Sequence, residues 1–278
     1  MLIALLLAAA DPTAHARELA LKLPAAHEAM LELRREAAAL PDPALRAAVE
    51  TQLLAPGLPA ELWAYAHLEG ARKLLGEPLL ELPAPRKGDF AAAPGGPCED
   101  GHHGYPGGLA VHSLANLLHA RALSQTYKHV YGLDLHEDQL VAAAIWHDSL
   151  KAATLPWTAE GSCGPEPLIA GTPAHHVLGL AAGVLRHLPK ELLISIAAAH
   201  GPEKACDWLQ AGWILATGEK TSCPGLRTEA YITHLADSDY DLTGLAWKKY
   251  VAKAPRGWAR YEALLQDGND LLLFSRSP

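Results

Sequence analysis

The chain has 278 residues, a length that accommodates one large domain or two small ones. Half of the residues are hydrophobic and 19% are charged, which excludes an intrinsically disordered chain and predicts a globular one. The formal net charge is −8 and no run of Lys or Arg occurs, so the composition disfavours nucleic acid as a partner.

The chain begins with an apolar run, MLIALLLAAA, which is followed by Ala-His-Ala at residues 14–16. Because no Lys or Arg precedes the run and the run is short for a signal peptide, we expect a first helix packed on the domain and a cytoplasmic protein. A cleaved signal peptide over residues 1–16, and hence export, is the alternative. No later segment reaches the roughly 18 consecutive apolar residues of a membrane-spanning helix, so no membrane partner is predicted.

The elements that follow are predicted to be helices. Residues 1–80 are typical of three or four helices rich in Ala, Leu, Glu and Arg, and residues 77–108 are a connector rich in Pro and Gly. Further helices are expected at 109–130, 137–153, 174–187, 190–200, 203–217, 227–239 and 257–267. No segment shows the alternation of a strand. The sequence therefore predicts an all-α protein, with an N-terminal helical extension over residues 1–90 packed on a helical domain over residues 91–278.

The cysteines bear on metal binding and on the redox compartment. The chain has four, at Cys98, Cys163, Cys206 and Cys223. None forms a C-x-x-C pair, so the spacing excludes a zinc ribbon. Two disulfides can form in an oxidising compartment, although a chain of this length does not need them.

The chain contains 15 His, and several polar residues lie on strongly apolar helical runs. They are His112, His147, Asp148, His175, His176, His200 and Asp237. A single such His is typical of a hydrogen-bonded core residue. Five successive helices that each carry one favour a metal site instead, because an unpartnered buried charge is costly. Imidazole and carboxylate groups suit Fe, Mn, Zn, Co, Ni or Mg. Two ions about 3.5–4 Å apart, bridged by an Asp, would serve phosphoryl transfer.

Five motifs carry these residues in order: YPGGLAVHS, HDSLK, HHVLG, AAAHG and HLADSD. Over residues 104–241 this order resembles the HD superfamily of metal-dependent phosphohydrolases. The resemblance implies an HD-domain helical bundle with one or two divalent metal ions per chain as cofactors. The implied ligands of a first metal are His112, His147, Asp148 and Asp237. The implied ligands of a second metal are His175 and His200, with Asp148 bridging.

Two residues of the HDSLK motif are implied to be catalytic. Asp148 would bridge the two metals, and Lys151 would contact a substrate phosphate or a bridging oxygen. Leu150 replaces the Gly that is usual in this motif, which alters the turn but not the ligands.

The motifs implied to bind the second metal differ from the family pattern at one residue and offer two His at another position. Ala199 replaces the first His of the family's HHG pair, so the sequence leaves open whether one or two ions bind. Counted back from Gly179, the family pattern implies that His175 is the ligand, and His176 then donates to a ligand or lies at the surface. His234 is expected to orient Asp237, which lies three residues later on the same helix face.

Two loops are expected to flank the site, at residues 95–106 and 154–172, and loops in such positions often set specificity. Trp157 in the second loop is expected to have one of two roles, either to stack on a base or cap a pocket, or to anchor packing. His103 and Arg186 are weaker candidates than Lys151 for contact with a phosphate, and exposure to solvent is the favoured interpretation for both.

These observations predict an enzyme. We expect a metal-dependent phosphohydrolase that cleaves a phosphate mono- or diester of a nucleotide-like small molecule, with metal-bound hydroxide as nucleophile. An HD-fold mixed-valence di-iron oxygenase is the first alternative, because the same ligands would serve it and the HHGY loop at residues 102–105 lies where such sites carry extra ligands. A regulatory nucleotide-binding HD module ranks last, because the first-metal ligands are complete. The expected partner is a small phosphorylated substrate, and the sequence does not specify the oligomeric state.

Overall fold

A computed structural model of the chain describes residues 11–63, 65–75, 88–238 and 240–266. The apolar run of residues 1–10, on which the signal-peptide alternative depends, lies outside the described residues. Within the described ranges, no helix is both long enough and apolar enough to cross a membrane.

The N-terminal part is helical, as expected. It contains α1 (Pro12–Lys22), α2 (Pro24–Ala38), α3 (Pro43–Leu54), a 3-10 turn (Ala60–Trp63) and α4 (Tyr65–Leu75). The first three helices each begin with Pro, whose fixed φ suits a first helical turn. Asp11 and Asp42 cap α1 and α3, because their carboxylates accept the backbone N–H of Thr13 and Leu45.

The remainder of the described chain is also mostly helical, which confirms the all-α prediction. Its helices are α5 (Gly108–Tyr131), α6 (Glu137–Trp146), α7 (Lys151–Thr154), α8 (Ala174–Leu185), α9 (Lys190–Ala198), α10 (Ala205–Thr217), α11 (Thr228–Ala236), α12 (Tyr240–Val251) and α13 (Trp258–Gln266).

Three predictions of local structure were wrong. The helix expected over residues 137–153 is interrupted by turns at residues 147–150. Helix α12 was not predicted, because its Thr and Gly weaken the helical pattern while the buried Trp247 holds it in place. Two short strands, β1 (Leu168–Ile169) and β2 (Thr172–Pro173), form an antiparallel hairpin. Strands of two residues are too short to show alternation in the sequence.

The main apolar core extends across the boundary predicted at residue 90. Leu33 of α2 and Leu53 of α3 are buried in the same cluster as Leu117 of α5 and Trp146 of α6. Helix α2 packs on α5, and α3 packs on α6. The N-terminal helices therefore support two of the helices that carry predicted ligands, and the division into two domains stays a prediction.

A second apolar cluster lies beside the 95–106 loop. It contains Trp157, Trp247 and Tyr261, all buried. The indole of Trp157 donates to the carbonyl of Ala92 at 2.9 Å, and its ring contacts Tyr261 edge-on. Trp157 is thus a packing anchor in this structure, the second of the two roles expected for it.

Two disulfides cross-link the chain, Cys98–Cys163 and Cys206–Cys223, each with 5.5 Å between the Cα atoms. The first joins the 95–106 loop to the 154–172 loop across 65 residues of sequence, and the second spans 17 residues. Disulfides persist mainly in oxidising compartments, and the cytoplasmic and exported alternatives both stay predictions.

Replacing both Cys98 and Cys163 by Ala should lower the free energy of unfolding by about 2–5 kcal/mol, because the bridge restricts a long loop in the unfolded chain. The matched double variant at Cys206 and Cys223 should show a smaller decrease in the free energy of unfolding, since the loop that this bridge closes is shorter. Urea unfolding of the oxidised proteins measures both. An unchanged midpoint in the first variant would show that this bridge contributes nothing.

Candidate metal centre

The six predicted ligands lie at or near helix ends, and the fold brings these ends together. His112 is in the first turns of α5, which begins after Gly107 in a left-handed conformation at φ +81°. The others lie at the end of α6, at the start of α8, and beyond the ends of α9 and α11, and they are His147, Asp148, His175, His200 and Asp237. A side chain at a helix end can point past its own helix. Five helices can therefore each contribute side chains to one site without overlapping one another.

The first group of ligand atoms surrounds the Nε2 atom of His112. This nitrogen lies 3.1 Å from Oδ1 of Asp237, 3.2 Å from Oδ2 of Asp148 and 3.4 Å from Nε2 of His147. All four residues are buried. Ligand atoms about 2.1 Å from a shared ion lie at separations of this size, so the first group fits one cation.

The second group lies on the other carboxylate oxygen of Asp148. Oδ1 is 3.1 Å from Nε2 of His175 and 3.0 Å from Nε2 of His200. The two oxygens of one buried carboxylate therefore face two separate sets of imidazoles. This is the geometry that a bridging carboxylate requires between two ions.

Hydrogen bonds fix which ring nitrogens carry lone pairs. Nδ1 of His147 lies 3.0 Å from the carbonyl of Ala144, which can only accept, so the proton is on Nδ1 and Nε2 presents a lone pair. Burial lowers the pKa of His147 to about 4, which keeps the ring neutral. Neutral imidazole with a free Nε2 is the form that binds a metal.

Glu166 holds the Nδ1 proton of His175, as the carbonyl of Ala144 does for His147. The sequence analysis did not identify Glu166. Its Oε1 accepts from Nδ1 of His175 at 2.7 Å and from the backbone N–H of the same residue at 3.0 Å. A carboxylate behind a ligating His fixes the tautomer and the orientation of the ring. Within the loop at 154–172, Glu166 carried no signal beyond being an acidic residue.

The ring of His175 lies between two carboxylates, those of Glu166 and Asp148, which favour a positive charge at this position. Its Nε2 is buried and lies 3.1 Å from Oδ1 of Asp148. Burial lowers the pKa of His175, but Glu166 and Asp148 outweigh burial and raise the pKa above its usual value. A proton or a metal ion is therefore favoured between this nitrogen and Asp148.

Lys151 neutralises part of the charge of Asp148. Its Nζ donates to Oδ2 of Asp148 at 2.5 Å and to the carbonyl of Gly95 at 2.7 Å. Burial raises the pKa of Asp148, but Lys151 and the neighbouring imidazoles outweigh burial and hold the pKa well below its usual value. The carboxylate thus stays ionised at neutral pH. The predicted contact of Lys151 with a phosphate stays a prediction.

Two further histidines lie outside the six. His176 is partly buried, pairs through Nδ1 with the hydroxyl of Thr172 at 2.6 Å, and stacks on His200 with 3.9 Å between ring centroids. Nδ1 of His234 lies 2.9 Å from the carbonyl of Ala199. The side chain of His234 therefore holds the residue before His200, which differs from the expected contact with Asp237.

A third imidazole group borders the first. His102 and His103 of the 95–106 loop, together with His112, could hold an ion, since one ligand atom of each lies within 4.8 Å of the others. His103 is buried, so its expected exposure to solvent was wrong. Arg186 is partly buried, donates to the carbonyl of Gly57 at 3.3 Å, and lies over the ring of Trp146. Arg186 therefore has a structural role in the described chain.

Comparison with known proteins gives a partial similarity. No protein-family model matches the chain, and no solved structure matches it. Over 100 residues the chain is 27% identical to the dihydroneopterin 2',3'-cyclic phosphate phosphodiesterase of Methanocaldococcus jannaschii. The similar stretch covers 36% of this chain and 39% of that protein, so the chain spans about two fifths of the length of the relative. The similarity is consistent with a phosphohydrolase family.

Replacing Glu166 by Gln should weaken metal binding at the second group of ligand atoms by about 10–100-fold, because His175 loses the carboxylate that fixes its tautomer. Chelator competition with Mn²⁺ measures the affinity. Glu160→Gln removes an exposed carboxylate from the same loop and is the matched control. Equal affinities for the Glu166 variant and this control would refute the orienting role of Glu166.

Proposed function

We propose that the protein is a metal-dependent phosphohydrolase that cleaves a phosphate mono- or diester of a nucleotide-like small molecule. The observation that carries the proposal is the shared carboxylate of Asp148. Its Oδ2 lies 3.2 Å from Nε2 of His112, and its Oδ1 lies 3.1 Å and 3.0 Å from Nε2 of His175 and His200. The similarity to a cyclic phosphate phosphodiesterase supports the same reaction class.

The donor atoms define which ions the centre would accept. His112, His147 and Asp237 would hold one ion and His175 and His200 the other, with Asp148 between them. Imidazole-rich sites with carboxylates suit Fe, Mn, Co, Ni or Zn better than Mg, which prefers oxygen ligands. When bound, such a pair of ions supplies Lewis acidity toward the phosphoryl oxygens and an activated water as nucleophile.

The protein's own residues prepare this centre. Lys151 holds Asp148 in place and offsets its charge, so the carboxylate can serve both groups without protonation. Glu166 and the carbonyl of Ala144 set the tautomers of His175 and His147 before any ion binds. A preset geometry reduces the reorganisation that accompanies the reaction.

Access to the centre is from the side of the second group. The side chain of His200 is 17% exposed, whereas those of His112, His147, Asp148 and His175 are at most 4% exposed. A phosphate would therefore approach past His200, where His176 and Trp208 contribute aromatic rings. An aromatic border of this kind suits the base or ring of a nucleotide-like ester.

A di-iron oxygenase is the second candidate. The observation that favours it is the group of His102 and His103 beside His112, which would add ligands to the first ion. Iron content together with O₂ consumption separates the two chemistries. The similarity to a phosphodiesterase supports the hydrolase.

Asp148→Asn should abolish both bound metal and turnover, because both ions share this carboxylate. Metal analysis of protein purified without chelator, and hydrolysis of bis(4-nitrophenyl) phosphate and 2',3'-cyclic nucleotides, measure the two effects. Asp207→Asn, which changes an exposed carboxylate, should leave both unchanged. Full activity in the Asp148 variant would refute the assignment.

His175→Ala should reduce metal content and activity far more than His176→Ala, because Nε2 of His175 faces Asp148 whereas His176 contacts Thr172 and His200. Steady-state kinetics and metal stoichiometry of both variants test this order. A larger loss in the His176 variant would mean that the assignment of the ligand on α8 is wrong.

A further inference from the structure

Asn116 lies inside the first group of ligands, and none of the five motifs contains it as a ligand. It is one helical turn after His112 on the same face of α5. The residue is 2% exposed. Its Nδ2 atom is 3.2 Å from Nε2 of His112, 3.2 Å from Nε2 of His147 and 3.0 Å from Oδ1 of Asp237.

These contacts place the amide at a vertex of a ligand cage. The inner amide atom of Asn116 and the three ligand atoms of His112, His147 and Asp237 are separated by 3.0–3.9 Å in every pairing. Four atoms each about 2.0–2.2 Å from one ion are separated by roughly 3.0–3.5 Å. The amide atom thus lies as close to these three ligand atoms as another ligand of the same ion would.

The two ends of the amide have nearly the same shape, so the chemistry of the surroundings decides which end faces inward. Without a cation, the NH₂ group faces the lone pair of His147 and the carboxylate of Asp237 as a donor. The other end, Oδ1, is buried and has no hydrogen-bond partner among the described residues. With a cation among the ligands, an inward NH₂ becomes unfavourable, and an inward oxygen supplies a lone pair to the ion.

We propose that Asn116 is a ligand of the first ion, through its Oδ1 after a half-turn of the amide. The proposal rests on the metal-dependent function proposed above. Asn116 adds a neutral oxygen to two imidazoles and two carboxylates, and so raises the coordination number without adding negative charge. With a fifth protein ligand, the first ion would have fewer coordination positions open to substrate than the second ion. The substrate phosphate would therefore have more room at the second ion.

Mn²⁺ binding to the full chain tests the proposal. Asn116→Leu keeps the size of the side chain and removes its oxygen, so it should weaken one of two Mn²⁺ sites at least tenfold in chelator competition. Asn116→Asp, which keeps an oxygen at the same place, should retain both ions. Gln125→Leu makes the same amide-to-Leu change at an exposed position of α5 and should match the wild type.

The structure of the Mn²⁺-loaded wild type gives a second readout, with Oδ1 of Asn116 expected about 2.1–2.3 Å from the ion. Two ions bound to Asn116→Leu with wild-type affinity, or an ion more than 3 Å from the amide in the loaded structure, would overturn the inference alone. A wild type that takes up no ion would overturn the proposed function as well. Thermal unfolding of the metal-free variants checks folding, and Asn116→Asp tests the site if the Leu variant does not fold.

Discussion

The buried carboxylate of Asp148 is the constraint on which the rest of the site depends. An ionised carboxylate without compensation costs several kcal/mol or more when it is removed from water. This one is fully buried, and the ammonium group of Lys151 contacts it. The three imidazoles nearest to it, those of His112, His175 and His200, contribute positive charge only when they are protonated or bound to a metal. A cation bound between these groups would add positive charge beside a carboxylate that the fold removes from water.

The packing of the helices explains how five of them reach one carboxylate. Helix α6 is rich in Ala before His147, and Ala142, Ala143 and Ala144 are all buried. Gly212 of α10 has no room for a side chain, because an added Cβ would lie 2.5 Å from Leu180 of α8. Small residues at these contacts let the backbones approach closely, and the approach brings the helix ends within the length of one side chain.

The sequence predicted the helical fold and the residues that meet at the centre, but not their partners. His112, His147 and Asp237 could be found because each is a polar residue on an apolar helical run. Glu166 lies in a loop without any periodicity, and only the fold shows that it faces His175. Asn116 shares a helix face with His112, which was a usable signal, but a buried Asn is also typical of a hydrogen-bonded core. The break of the helix at residues 147–150 was hidden by a continuous apolar pattern.

The disulfide Cys98–Cys163 joins the two segments that position the outer partners of Asp148. Gly95, whose carbonyl holds the amine of Lys151, lies three residues before Cys98. Glu166, whose carboxylate holds His175, lies three residues after Cys163. The bridge thus links the segment that accepts the hydrogen bond of Lys151 to the segment that carries Glu166. Both loops border the candidate metal centre, so the bridge also restrains the surface around it.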